Sequence, residues 1–279
     1  MKKSFFTCIV FACLACGNNN PAANDTGTQT NPEEVEVLEE QPRENENWQE
    51  ERNQGYDFVA FGTKPDWTLL IDWEGETQLI SPKLIDTLKI HLAKAIENKD
   101  PKLTFYEQTT NDKHMALRIY QSDCANSGAN VELPYGVSVL AKADTMQHPK
   151  EHQGCGFYLG DARLHGTWQL QKWRGGVVST EAFLGQNAGL AINLDDFTVS
   201  GFGGCNQVNS SVTFGRDQIN FSHFRSTKIA CDALDFESAF VAALNDASYT
   251  YQFKGDQLTL RNSEENLIFT RAKTLVKSH

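Results

Sequence analysis

Between residues 56 and 271 apolar side chains recur at every second position in short runs, each cut off within a few residues by Gly, Pro, Asn or Asp. That period fits a strand buried on one face, whereas a helix places its apolar positions three and four apart. In the first half the runs are Leu69, Ile71, Trp73, then Leu88, Ile90, Leu92, then Leu103, Phe105, then Met115, Leu117, Ile119, then Tyr135, Val137, Val139. Gly62 and Pro65 break the chain between its first two strands. A helix over 86–97 competes for the second run, but Pro101 and the better period-two match favour a strand. In the second half strands are expected at 190–194, 198–202, 212–214, 218–221, 249–253, 257–260 and 267–270. Gly215 with Asp217, and Gly255 with Asp256, fall in hairpin turns where positive φ is wanted. The period changes clearly in one place: Phe236, Phe240, Val241 and Leu244 share a helical face, with Asp232 and Asp235 as an N-terminal cap. The expected fold is therefore mainly β, with two small antiparallel β domains over 55–160 and 161–273, the second carrying one inserted amphipathic helix.

The N-terminus says where such a chain works. Lys2 and Lys3 precede an apolar run from Phe5 to Ala15, then Cys16, Gly17 and three asparagines. About 11 apolar residues are too few to span a hydrocarbon layer of roughly 30 Å but suit a signal-peptide core. This is a bacterial lipoprotein leader, with residues 1–15 removed and Cys16 acylated. Cys13 is the competing lipidation site. Cleavage before Cys16 removes Cys8 and Cys13, which leaves an anchor cysteine and four others in an oxidising compartment. Of the three formal pairings, Cys124 with Cys155 and Cys205 with Cys231 keep each bridge within one half. Each closes a loop worth about 3.5 kcal/mol in the chain-entropy treatment.

The net charge of −11 over 279 residues argues against nucleic acid or an anionic bilayer surface as partner. Much of it sits in 16–54, where nine glutamates are opposed mainly by Arg43 and Arg52. Such a segment buries too little apolar surface to offset its ordering entropy, so it is expected to be a disordered acidic tether. It would hold the folded part some 35 Å from the bilayer.

Gly201, Phe202, Gly203, Gly204, Cys205 and Asn206, followed by Ser226, Thr227, Lys228, Ile229, Ala230 and Cys231, carry a resemblance to the META domain of HslJ-like bacterial lipoproteins. The opening 164–170 and the closing 255–260 are similar to that family as well, so the resemblance spans 164–271. After Asn206 the family carries a glycine and then a tyrosine where this chain has Ser210 and Val212. The 61–67 opening with Cys124 and Cys155 resembles an uncharacterised envelope domain found ahead of META modules, which more often has Glu-Pro-Phe-Trp than Lys-Pro-Asp-Trp. The resemblance implies an envelope location and a link to heat shock and novobiocin tolerance. It implies no catalytic residue, and Thr227, Cys231 and the 201–206 block enter only as family motif.

The residues offer little support for other chemistry. A phosphate cradle at 201–204 lacks a following Lys-Ser or Lys-Thr, and glycines before a cysteine serve a bending strand and close backbones. His148 and His152, with Asp144 and Cys155, have metal-ligand types, but Pro149 and Gly154 favour a loop and Cys155 is claimed by a disulfide. No Gly-x-Ser-x-Gly elbow is present, and His91, His114, His165 and His223 lack a clear partner in sequence. Trp67, Trp73, Trp168 and Trp173 read as core or rim aromatics. The expectation is a non-enzymatic, monomeric lipoprotein, lipid-anchored in the cell envelope at the outer membrane, without metal or cofactor. It would bind an envelope protein or component in stress tolerance. A proteinaceous inhibitor of a secreted hydrolase such as lysozyme is the alternative, and an unrecognised hydrolase comes third.

Overall fold

A computed structural model of the chain describes residues 48–63, 66–82, 87–92, 94–96, 99–125, 132–144, 146–178 and 186–272. The leader, Cys16 and the tether up to residue 47 lie outside the described residues. Two antiparallel sheets hold nearly all of the secondary structure.

The first sheet contains β1 (Phe58–Thr63), β2 (Asp66–Ile71), β3 (Thr77–Ile80), β4 (Leu88–Ile90), β5 (Leu103–Thr110), β6 (Lys113–Ala125), β7 (Glu132–Lys142) and β8 (Lys150–Tyr158). Their spatial order is β4-β3-β2-β1-β8-β7-β6-β5. Trp67, Leu69, Leu79, Leu88, Met115, Leu117 and Val139 fill its inner side, as the alternation expects. Leu88–Ile90 is a strand. Among the described residues no ladder joins β4 to β5, and the bridge from Ile96 N–H to Phe105 O, 2.7 Å, lies beside β5.

The second sheet contains β9 (Gly166–Trp173), β10 (Gly176–Val177), β11 (Gly189–Asn193), β12 (Thr198–Phe202), β13 (Gln207–Phe214), β14 (Gln218–Phe221), β15 (Arg225–Ser226), β16 (Ser248–Lys254), β17 (Gln257–Arg261) and β18 (Asn266–Arg271). It closes into a barrel because β9 pairs β11 on one side and β18 on the other. A register shift between Ile268 and Phe269 marks a bulge in that seam. The bulge switches the parity of β9, so Trp168 and Trp173, five residues apart, both turn inward. The helix α2 (Leu234–Leu244) buries Phe240 and Leu244 in the barrel core, while Phe236 and Val241 are half-buried. Ser210 and Val212 lie within β13, so no tight turn is needed there.

Three local expectations are corrected. The cap of α2 is Ala233, without a side-chain hydrogen bond, so neither Asp232 nor Asp235 supplies a capping box. Gly255 has φ +59, but the 215–217 turn closes through Gly215 N–H to Gln218 O at 2.9 Å without a left-handed residue. Finally, the last residues of the acidic segment belong to the fold. Gln49–Asn53 form a short helix, α1, and Trp48 before it is buried, stacked on Phe61 at 6.4 Å and edge-on to Phe157 at 5.8 Å. Val59 and Leu70 pack in the same cluster, which is why β2 is buried on both faces. Averaged over a glutamate-rich window, one tryptophan is invisible; seated on an exposed apolar sheet face, it offsets the ordering of one helical turn.

The two sheets share one continuous core. Phe157 meets Phe197 edge-on at 5.4 Å, the Tyr135 hydroxyl donates to Phe214 O at 3.5 Å, and the left-handed Gly160 leaves room for the Phe214 ring. Arg52 in α1 donates to Leu194 O at 3.3 Å and pairs with Asp195. Burial pulls its guanidinium below its ordinary pKa, against the raising influence of Asp195.

Candidate functional site

The family-motif residues come together at one end of the barrel. Gly201 and Phe202 end β12, Gly203 to Asn206 turn the chain into β13, and 226–231 crosses beside them before α2. At Gly201 a Cβ would run into the backbone carbonyl of Gly189, and at Gly203 it would lie 2.8 Å from the Glu237 side chain. The glycines therefore serve close packing, as the sequence suggests. Cys205 and Cys231 are disulfide-bonded with Cα atoms 6.0 Å apart; Cys124 and Cys155 are bonded at 5.6 Å, joining β6 to β8.

Asn206 is the hub. It is buried, and both ends of its amide are occupied. Its Oδ1 accepts from Thr227 Oγ1–H at 2.9 Å and from Ile229 N–H at 2.6 Å, and its Nδ2 donates to Ile229 O at 3.1 Å and to Glu237 Oε1 at 2.7 Å. Glu237 from α2 completes the clasp, its Oε2 accepting from Cys205 N–H at 2.9 Å and from Asn206 N–H. A buried carboxylate is tolerable because backbone and amide donors surround it. Sequence reasoning missed Glu237. Its signal was a charged residue beside Phe236 on the face that packs inward.

The clasp leaves Ile229 in an unusual state. Its N–H and C=O are both held by one side chain, yet the residue is 61 % exposed. Beside it runs a groove of about 460 Å³ between 226–230 and α2, lined by Leu234, Val241 and Ala242 among others. With the amide of Asn206 spent on the loop and on Glu237, the motif is built to hold a shape.

The other candidates separate. No helix starts at Cys205; a strand follows from Gln207. His148 is exposed, whereas His152 is buried in β8 with Nε2 3.3 Å from Ser81 Oγ, so the expected loop is a strand at that point. Among the described residues no group of three His, Cys, Asp or Glu is placed to hold a metal ion. His165 Nδ1 lies 3.4 Å from Leu194 N. His223 Nδ1 is 3.3 Å from Asp246 Oδ2, but both are exposed, and Ser210 Oγ–H donates to the His223 backbone carbonyl and not to its ring. Trp67, Trp168 and Trp173 are buried, the last donating to Glu265 Oε2 at 2.7 Å; Trp73 is half-buried and stacks on Tyr106 at 4.8 Å.

Residues 162–274 match the model of the META domain. Among solved structures, an NMR structure of a protein from Burkholderia xenovorans is 23 % identical, covers 42 % of this chain and 90 % of its own, and has a TM-score of 0.34. A second NMR structure is 14 % identical over 39 % of this chain and 90 % of its own, with a TM-score of 0.33. No curated protein matches the chain.

Proposed function

We propose, for a chain whose residues 162–274 match the META domain model, a non-enzymatic role as a lipoprotein of the bacterial cell envelope that engages a protein partner through the loop 227–230. The leader with Cys16 supplies the location, and the family resemblance supplies the link to envelope-stress tolerance. The observation that carries the docking role is Ile229: its backbone is fixed by Asn206, the chain two residues on is fixed by the Cys205–Cys231 bridge, and its side chain stands in solvent. A loop already ordered before contact loses little conformational entropy on binding, so one apolar knob can contribute strongly. In-cell crosslinking of the lipidated chain, with Ile229→Asp and Cys16→Ser as controls, tests it. One abundant partner lost in both variants supports the reading; a capture indifferent to Ile229→Asp removes it.

The same observation favours one second reading, inhibition of a secreted hydrolase such as lysozyme, since a pinned loop presenting one side chain can occupy an enzyme cleft. Unchanged lysozyme activity at micromolar protein eliminates that target.

A further inference from the structure

The turn between β13 and β14 carries Arg216 toward the first sheet. Its guanidinium lies 5.3 Å from the centre of the Trp73 ring and close to the Tyr106 hydroxyl, whose ionisation it favours against the larger opposing effect of burial. Asp57, just before β1, accepts the Trp73 N–H at 2.9 Å through Oδ2. Between the sheets Asp57, Arg216, Tyr158 and Tyr251 line a cleft of about 280 Å³. Arg52 and Asp161 line it too but are committed elsewhere, Arg52 to Asp195 and Asp161 to Arg163. Asp57 and Arg216 sense each other electrostatically, yet among the described residues neither is in an ion pair. Glycines at 55, 160 and 215 contribute no side chain to fill the space.

We propose that this cleft between the sheets is a binding site for an amino-acid-sized zwitterion, its carboxylate on the spare Arg216 N–H groups and its ammonium on Asp57. A guanidinium presents five N–H donors and favours bidentate carboxylate pairing, so the Tyr106 contact leaves donors over. A simple anion would meet Asp57 uncompensated and a simple cation would meet Arg216. A ligand carrying both charges compensates both. The volume lies just below the usual range for drug-sized ligands, which suits a free amino acid and excludes a lipid or an oligosaccharide chain. The walls fit as well. Burial pushes the Tyr158 and Tyr251 hydroxyls far above the ordinary phenol value, so both stay protonated and able to donate, and partial desolvation with Asp72 and Glu74 nearby raises Asp57, which an ammonium alongside would relieve.

Calorimetric titration of the full chain with L- and D-alanine and leucine, each beside its N-acetyl and its amide derivative, tests the site. The expected result is saturable binding of at least one zwitterion, weakened tenfold or more by capping either end and by Arg216→Gln or Asp57→Asn. The N-acetyl derivative should not distinguish Asp57→Asn from the parent. Because Arg216 also leans on Trp73 between the sheets, Arg216→Lys and the unfolding profile of every unliganded variant control for lost structure. No heat from any zwitterion at millimolar concentration overturns the proposal. So does binding indifferent to Asp57→Asn in a variant that unfolds like the parent. Ile229→Asp should titrate like the parent, so this site and the docking loop succeed or fail separately.

Discussion

The two sheets have similar strand content and one disulfide each, but they solve the edge problem differently. The second closes through β9 and β18, so its pairing circuit has no interruption. Among the described residues the first leaves β4 and β5 at the ends of its ladder, with the Ile96–Phe105 bridge beside β5. Their disulfides differ too: Cys124–Cys155 ties β6 to β8 across the intervening β7, whereas Cys205–Cys231 fixes a crossing loop that the clasp also holds. Closure supplies a rigid frame on which a loop can be presented, and an open edge leaves its strands only one neighbour.

The strongest way to break this contrast is in the cores. Phe269→Ala, at the closing seam, should cost about 4 kcal/mol in urea unfolding, against about 2.5 kcal/mol for Leu88→Ala at the open edge. Equal costs would mean that closure contributes nothing beyond ordinary burial. Next, replacing either cysteine pair by serine should cost about 3.5 kcal/mol. Only loss of Cys205–Cys231 should speed hydrogen exchange at the Ile229 amide, and the same acceleration after loss of Cys124–Cys155 would erase the distinction. Glu237→Gln should cost about 2 kcal/mol, because one acceptor oxygen becomes a donor facing the backbone amides of Cys205 and Asn206. The cost should appear with faster exchange at the same amide. Ile96→Pro removes one bridging donor and should cost about 1 kcal/mol, with faster exchange confined to the β5 edge.

The smallest expected effect is in the acid range, where two carboxylates act oppositely. Hydrogen bonding from Arg174, helped by Trp173, holds Glu265 below the ordinary carboxylate value, so its contribution is present above that value and is lost as pH falls through its depressed folded pKa. Partial desolvation, with Asp72 and Glu74 nearby, holds the exposed Asp57 above the ordinary value, so the folded state binds its proton more tightly and stability falls as pH rises from the ordinary value to the raised one. Unfolding midpoints between pH 3 and 6 should therefore flatten below the ordinary value in Glu265→Gln and lose their opposite slope in Asp57→Asn. Identical profiles for the two variants would sink the assignment.

Most of the strands were legible because a half-buried strand writes its period into the chain, as Met115, Leu117 and Ile119 do. The motif was legible as a motif but not as a mechanism. Nothing around Asn206 says that its amide holds both backbone groups of Ile229, since the partners are more than twenty residues away. Glu237 was hidden because carboxylates in helices are usually solvated, and only the backbone amides delivered by the 203–206 turn make this one an anchor. Trp48 was hidden by its glutamate-rich neighbours.

By itself the sequence determined the strand period, the helix at Leu234–Leu244 and the family resemblance of 164–271, because each is written in neighbouring residues. Tertiary structure alone decided that the barrel closes between β9 and β18, that Asn206 and Glu237 freeze Ile229 in the open, and that Arg216 faces Asp57 across a cleft. Those relations join residues 20 to 160 positions apart, and no local pattern encodes a distance between groups that only folding brings together.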